Sequence, residues 1–257
     1  MLEVRNITKI YNPGTVTEQR LINDFSLTVE EEQFVTIVGG NGSGKTSLLN
    51  IICGSIPIEA GDVLVDGKSI AKLKDYQRYA SMGRVYQDPA AGTCPGLTML
   101  ENLSLADNKG KPFGLARGVN RQRRDFYREQ LRELGLGLED KLDVKMGALS
   151  GGQRQAVALL MATMTPLRFL ILDEHTAALD PKTAETIMEL TNKVVREKKL
   201  TAMMVTHNLR YAVEYGDRIL MMNQGRVVLD RAGVEKAATS IDDILTMFSQ
   251  ISIECGH

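Results

Sequence analysis

Apolar residues recur along this chain with two different periods, and the change from one to the other lays out its elements. At the start, Leu2, Val4 and Ile7 sit among polar neighbours and Phe25, Leu27 and Val29 alternate strictly, which predicts short strands of a half-buried sheet. Phe34 to Val38 (FVTIV) is almost wholly apolar and β-branched, the composition of a strand covered on both faces. Two similar runs follow downstream. Phe169 to Leu172 (FLIL) ends at Asp173 and Glu174, and Ala202 to Val205 (AMMV) ends at Thr206 and His207. Between them Ile187, Leu190, Val194 and Val195 fall near helical spacing within 182–198. Buried strand, helix, buried strand is the signature of an α/β fold.

The middle of the chain, from Pro89 to Leu149, has no strong buried strand. Leu97, Leu100, Leu103 and Leu105 predict one helix there and Phe126 to Leu134 another, so the segment reads as a mostly helical insertion. Near the end, Arg218 to Met222 and Arg226 to Leu229 flank Asn223-Gln224-Gly225, a hairpin turn. Ser240 and Asp243 form a capping pattern ahead of Ile241, Ile244, Leu245 and Phe248, which predicts a short amphipathic helix.

Composition narrows the class. The 257 residues carry 31 Lys+Arg against 32 Asp+Glu, a net charge of −1, which lacks the basic excess of a dedicated nucleic-acid binder. With 43% hydrophobic and 25% charged residues the chain has enough apolar material for a packed core and is no disordered segment. Three cysteines (Cys53, Cys94 and Cys255) are odd in number and widely spaced, which fits a reducing compartment better than a disulfide framework or zinc site. No apolar run reaches the length of a membrane span, and the N-terminus lacks the apolar core of a secretion signal. The expectation is a soluble, cytoplasmic protein that meets a membrane only through a partner.

Chemistry concentrates in three places. Gly39-Gly40-Asn41-Gly42-Ser43-Gly44-Lys45-Thr46 satisfies G-x-x-x-x-G-K-[ST] and stands between a buried strand and a helix. Glycines let backbone N–H groups curl around phosphate oxygens, and the helix start adds its positive dipole end. Lys45 can reach the β- and γ-phosphates, and the Thr46 hydroxyl can ligate Mg²⁺. Asp173 and Glu174 stand at the carboxyl end of a buried strand, where open α/β sheets bind ligands. There Asp173 can serve the metal and Glu174 can deprotonate the attacking water. In Leu149-Ser150-Gly151-Gly152-Gln153, Ser150 and Gln153 form a capping box. That box leaves Gly151 and Gly152 unexplained, since each costs up to about 1 kcal/mol in a helix, and it points to a phosphate approaching bare amides. The chain thus holds two anion-binding helix starts, more than one nucleotide needs from one molecule.

These three elements, in this order and spacing, resemble the ATP-binding cassette family over nearly the whole chain, and the LSGGQ element is highly specific to it. The resemblance implies an α/β fold: a P-loop NTPase core with a small antiparallel β subdomain (1–88 and 153–257) and an inserted α-helical subdomain (89–152) carrying the signature. It implies ATP and Mg²⁺ as cofactors. It implies too a head-to-tail homodimer in which the signature of one subunit closes on ATP held by the P-loop of the other. Gly39, Gly40, Asn41, Gly42, Ser43, Gly44, Lys45, Thr46 and Ser47 then bind the nucleotide from one chain, and Ser150, Gly151, Gly152 and Gln153 from the other. Tyr11 falls where the family stacks an aromatic ring on adenine, a half-buried strand-end tyrosine being the other reading. Gln87 (in Val85-Tyr86-Gln87-Asp88-Pro89) falls where a glutamine contacts metal or water, so Thr46, Gln87 and Asp173 form the metal set. His207 matches a histidine at the γ-phosphate, which makes Glu174, His207 and Gln87 the catalytic set. Ala177-Ala178-Leu179-Asp180 resembles the loop that crosses the dimer interface.

Departures from the family pattern are informative. His175 replaces the proline that commonly follows the catalytic glutamate, which removes a φ lock without removing a catalytic atom. Ala156 and Met161 stand where many relatives carry arginines. Arg117, Arg121, Arg123, Arg124, Arg128 and Arg132 interleave with Asp125, Glu129 and Glu133, which predicts a solvated helix face, contact with a membrane partner being the alternative. The function implied is that of the ATPase subunit of a transporter, of stand-alone prokaryotic and importer-like type, moving a small solute such as an amino acid. Its partners would be an integral-membrane permease and an extracytoplasmic substrate-binding protein, with no nucleic acid, and it would sit peripherally on the inner membrane face. The alternative is a soluble or mechanotransmitting relative of the lipoprotein-release, exporter or ribosome-associated type.

Overall fold

The computed structural model describes residues 1–111 and 118–254, so Arg117 and Cys255 lie outside the described residues. The chain begins with β1 (Leu2–Tyr11), β2 (Gln19–Val29), β3 (Phe34–Gly39), α1 (Lys45–Cys53), β4 (Ala60–Val65), β5 (Lys68–Ser69), α2 (Asp75–Tyr79) and β6 (Met82–Val85). Next come α3 (Met99–Asp107), α4 (Arg124–Arg132), α5 (Gly151–Thr163), β7 (Phe169–Asp173), α6 (Pro181–Glu197) and β8 (Thr201–Val205). The last elements are α7 (Leu209–Glu214), β9 (Arg218–Asn223), β10 (Arg226–Ala232), α8 (Gly233–Ala237) and α9 (Ile241–Glu254). Among the described residues no helix is long and apolar enough to cross a membrane.

Contacts divide the chain into two units, Met1–Tyr79 with the segment from Lys199 onward, and Ala80–Lys198. In the first unit, β3 lies between β8 and β9, parallel to both, with Ile37 opposite Val205 and Leu220, and β10 pairs antiparallel with β9. Every residue of β3 and β8 is buried, as their apolar runs require. Ile244 of α9 packs with Ala212 of α7 against Val38, Ile219 and Met221, and the Ser240–Asp243 capping pair closes the start of α9. The predicted short final helix is a full 14 residues.

A second, antiparallel sheet in this unit has the order β2-β1-β4-β5. The short strands expected at the N-terminus are long ones, paired from Leu2–Val29 to Tyr11–Gln19. Their alternation is interrupted because the register shifts between Val4 and Ile7, where Asn6 (φ 48°) and Asp24 (φ 53°) adopt left-handed backbone. Asn6 Nδ2 donates to Asp24 Oδ1 at 2.7 Å, so the two irregular positions brace each other. The shift lets Ile7 keep the buried face that Leu2 and Val4 began.

In the second unit β6 and β7 pair in parallel, with Val85 opposite Leu172. Helices α3, α4 and α5 share one core in which Met99, Leu103, Tyr127, Leu131 and Val157 are buried. Tyr127 donates its hydroxyl to Asp107 Oδ2 at 3.0 Å, which satisfies the polar end of a fully buried ring. This unit extends beyond 89–152, because α5 packs on β6 and α6 as well as on α3 and α4. Leu97 precedes the helix predicted for it: Thr98 and Glu101 cap each other, so α3 starts at Met99, and Leu105 faces solvent.

Candidate functional site

In the first unit the glycine-rich loop follows β3 and turns into α1. Gly44 is the N-cap with φ 102°, a conformation that costs glycine nothing. The first turn of α1 has no acidic residue and no side-chain cap, the kind of helix start that suits an anion. Lys45 is 5% exposed, and its Nζ donates to the carbonyls of Gly39 and Gly40, both at 2.9 Å. An ammonium folded into a ring of backbone, beside uncapped amides, is the chemistry a polyphosphate needs. The N–H of Gly225, in the β9–β10 turn, donates to the Ser43 carbonyl at 2.9 Å and fixes the loop from behind. Asn41, Gly42 and Thr46 are exposed and Ser47 is half-buried.

Tyr11, at the end of β1, is brought to this loop: its hydroxyl lies 3.3 Å from Ser47 Oγ. Lys9 Nζ lies 5.4 Å from the centroid of the Tyr11 ring and is held there by Glu59 Oε1 at 2.7 Å. His207 is exposed on the segment after β8, at the same carboxyl edge as the glycine loop because β3 and β8 run parallel. Thr206 Oγ1 accepts from the Asn208 N–H, and Asn208 caps α7, so the backbone on both sides of His207 is tied down.

The second unit carries the remaining candidates. Asp173 ends β7 and is buried, and Glu174 follows with φ 48°, a left-handed backbone that is uncommon for a non-glycine residue. Asp173 Oδ2 accepts from Arg84 Nη2 at 2.6 Å. Gln87 is exposed just past β6, where Gln155 Nε2 donates to the carbonyl of its neighbour Tyr86 at 3.1 Å. Ala177 and Ala178 are exposed, and Asp180 caps α6, accepting from the Thr183 N–H at 3.1 Å. Those bonds to Thr183 hold the Asp180 carboxyl below its ordinary pKa.

Ser150 and Gln153 cap α5 reciprocally, each accepting the other's backbone N–H at 3.3 Å. The glycine pair behind Ser150 divides into two cases. A Cβ on Gly152 would stand 2.1 Å from Thr183 Cγ2, so any larger residue would force the Thr183 side chain or the packing of α5 on α6 to shift. That is a packing reason for a residue that the sequence reading ascribed to phosphate approach. Gly151 is exposed, and a Cβ added there would make only an ordinary contact, 3.4 Å from Leu179 Cδ2, so its glycine is not explained by packing.

His175 is 1% exposed and belongs to the interior. Thr191 Oγ1 donates to the Ile187 carbonyl at 2.7 Å, so it accepts from His175 Nε2–H at 3.0 Å, which fixes the neutral tautomer. Burial pushes the His175 pKa down from 6.5 to about 4. The unfolded chain therefore takes up a proton below about 6.5 that the folded chain refuses until about 4, and stability is lost as pH falls through that window. The shift corresponds to about 3 kcal/mol. Urea melts at pH 7 and pH 4.5 should show a smaller loss for His175→Gln than for the unaltered chain; equal losses would contradict the assignment.

Four of these arginines are paired with acids among the described residues: Arg124 with Asp143, Arg128 with Asp125, Arg132 with Glu129 and Arg123 with Asp107. Ala156 is buried and Met161 packs against the helical core, so neither position presents a cation. Arg84 is a residue that sequence reasoning missed; its signal was a single charge inside the otherwise buried strand Met-Gly-Arg-Val.

Residues 22–177 match the family model described as ABC transporter. The chain is 44% identical to the tyrosine transport ATP-binding protein of Clostridioides difficile (strain R20291), over 96% of this chain and 98% of that protein. It is 31% identical to the phosphonates import ATP-binding protein PhnC 1 of Ruegeria sp. (strain TM1040), over 98% and 95% of the two. Among solved structures it is similar to a dimeric ATP-binding cassette in a post-hydrolysis state bound to ADP and Pi, with TM-score 0.75 and 33% identity over 90% of this chain and 98% of that one. A nucleotide-free ATP-binding cassette from an ABC transporter gives TM-score 0.79 and 25% identity, over 100% and 99% of the two chains.

Proposed function

This chain belongs to the ABC transporter family, and from that premise we propose that it is the ATP-binding and ATP-hydrolysing subunit that powers transport through a separate permease. The observation that carries the enzymatic reading is the Lys45 ammonium folded onto the Gly39 and Gly40 carbonyls beside the uncapped first turn of α1. In this reading the amides of Gly40 to Thr46 and the Lys45 ammonium hold the phosphates, and Tyr11 stacks on adenine with the face of its ring away from Lys9. The ring hydroxyl, tied to Ser47, fixes the stacking plane against the same loop that grips the phosphates.

Thr46, Gln87 and Asp173 offer a hydroxyl, an amide oxygen and a carboxylate, the hard oxygen donors that suit Mg²⁺, and the Arg84 guanidinium on Asp173 is a cation already drawn to that carboxylate. These three residues would hold the metal, which when bound supplies positive charge against the phosphate oxygens. Glu174 accepts the proton of the attacking water, and His207 donates a hydrogen bond to the γ-phosphate. The products are ADP and phosphate. Glu174 has a left-handed backbone and stands between buried Asp173 and the His175–Thr191 bond.

The signature residues Ser150, Gly151, Gly152 and Gln153 act in trans. Their helix start meets ATP held by the P-loop of a second copy, so that two nucleotides are sandwiched in a head-to-tail homodimer, with the segment 89–152 carrying the signature as an inserted helical subdomain. A permease in the membrane couples to the opening and closing of that dimer, which places the subunit peripherally on the inner membrane face. A substrate-binding protein outside the membrane delivers the cargo, for which the similarity to a tyrosine transport ATP-binding protein favours an amino acid. Specific ATPase activity of the purified chain should rise with protein concentration at constant ATP and Mg²⁺, as two copies meet to complete a site. A specific activity independent of dilution would overturn the shared-site reading.

A further inference from the structure

Arg84 places a permanent cation beside the carboxylate assigned above to the metal. The strand β6 runs parallel to β7 with Val85 opposite Leu172, and the Arg84 side chain reaches forward to the carboxyl end of β7, where Asp173 stands. Nη2 donates to Asp173 Oδ2 at 2.6 Å, with the two side chains only 6% and 12% exposed. The guanidinium carbon lies 4.7 Å from the centroid of the Tyr86 ring, two residues further on and on the same face of the strand. Aromatic stacking and the carboxylate together restrain the guanidinium, and the group stays charged at any working pH.

A nearly dry carboxylate with no cation is costly, and here the cation is built in. The bond to Arg84 takes only one of the two Asp173 oxygens, and a carboxylate can accept at both. A dication arriving at Asp173 therefore shares the group with a guanidinium whose charge it cannot displace by proton loss, and the two cations repel in a partly buried site.

We propose that Arg84 is a resident counter-cation that positions Asp173 while the metal is away and weakens its hold on Mg²⁺ when the metal arrives. The inference rests on the assignment of Asp173 to Mg²⁺.

The test reads how strongly metal and nucleotide help each other bind. Affinity of the full chain for a fluorescent ADP analogue is measured at equilibrium in EDTA and in saturating Mg²⁺, and the ratio of the two dissociation constants is compared among variants. Arg84→Met keeps apolar contact with Tyr86 and removes the charge, and should raise the ratio on the order of tenfold. Arg84→Gln, neutral and still able to hydrogen-bond Asp173, should raise it likewise, whereas Arg84→Lys should leave it near that of the unaltered chain. Asp173→Asn should bring the ratio toward unity. A residue with a merely structural role would give the reverse of the expected result, since a loosened carboxylate holds metal less well. If both neutral Arg84 variants leave the ratio unchanged or lower it while Asp173→Asn lowers it, the counter-cation role is wrong and the metal assignment stands. If Asp173→Asn changes nothing, the metal assignment falls and the counter-cation role with it.

Discussion

Glu174→Gln should bind ATP as well as the unaltered chain and turn it over about 10²- to 10⁴-fold more slowly, the span a positioned general base contributes. Glutamine keeps the length and shape of glutamate and removes only the basic oxygen. The left-handed backbone at Glu174 (φ 48°) sits between the buried Asp173 and His175, so the substituted side chain should be carried on the same frame. The loss should fall on kcat, equivalent to about 3–5 kcal/mol of barrier, with little change in the nucleotide dissociation constant. Because reopening depends on hydrolysis, the variant should accumulate as an ATP-bound dimer on size-exclusion chromatography. A variant with normal kcat would remove Glu174 from the role of base, and one that binds ATP poorly would show the substitution acting on the fold.

Lys45→Ala should weaken ATP binding by roughly 10- to 150-fold, the equivalent of one charge-assisted hydrogen bond at about 1.5–3 kcal/mol. The side chain is 5% exposed and its Nζ bridges the Gly39 and Gly40 carbonyls, so it serves the loop as well as the ligand. Removal of the ammonium takes that donor from both carbonyls, and the melting temperature measured without nucleotide should fall modestly. Equilibrium titration with a fluorescent ATP analogue separates the two effects: unchanged affinity would count against the phosphate site, whatever happens to stability.

Much of this architecture is legible from local pattern. The runs FVTIV, FLIL and AMMV lie in β3, β7 and β8, and the caps at Ser150–Gln153 and Ser240–Asp243 form as written, because each is decided by neighbours a few residues away. What local pattern misses is decided at long range or by a broken period. The bulge at Asn6 and Asp24 hides the length of β1 and β2 by shifting which residues face inward. Leu97 has the spacing of a helix residue but stands before a Thr98 cap that the leucine count ignores.

The same distinction holds in the candidate site. A glycine loop between strand and helix can be read from one stretch of sequence, since the loop and its helix start are contiguous. The space a Cβ on Gly152 would take is filled by Thr183, which is distant in sequence. His175 is an interior group because Thr191 receives its Nε2–H, which no pattern around Asp173 announces. Arg84 and Asp173 meet across 89 residues of sequence, through the parallel pairing of two strands. Proline after Glu174 would restrict φ by its ring; here a buried imidazole bonded to α6 stands at that position.

The central claim is that each reaction site is assembled from two chains, and complementation between crippled copies tests it most directly. Lys45→Ala chains keep an intact signature, and Ser150→Arg chains keep an intact P-loop. Mixed in equal amounts, they should form two-fold dimers that contain one whole site and one doubly damaged site. ATPase activity should then exceed that of either variant alone and approach about a quarter of the unaltered rate, since about half the dimers are mixed and each has one site of two. Activity that stays at the level of the separate variants would mean that the P-loop and the signature do not meet between chains.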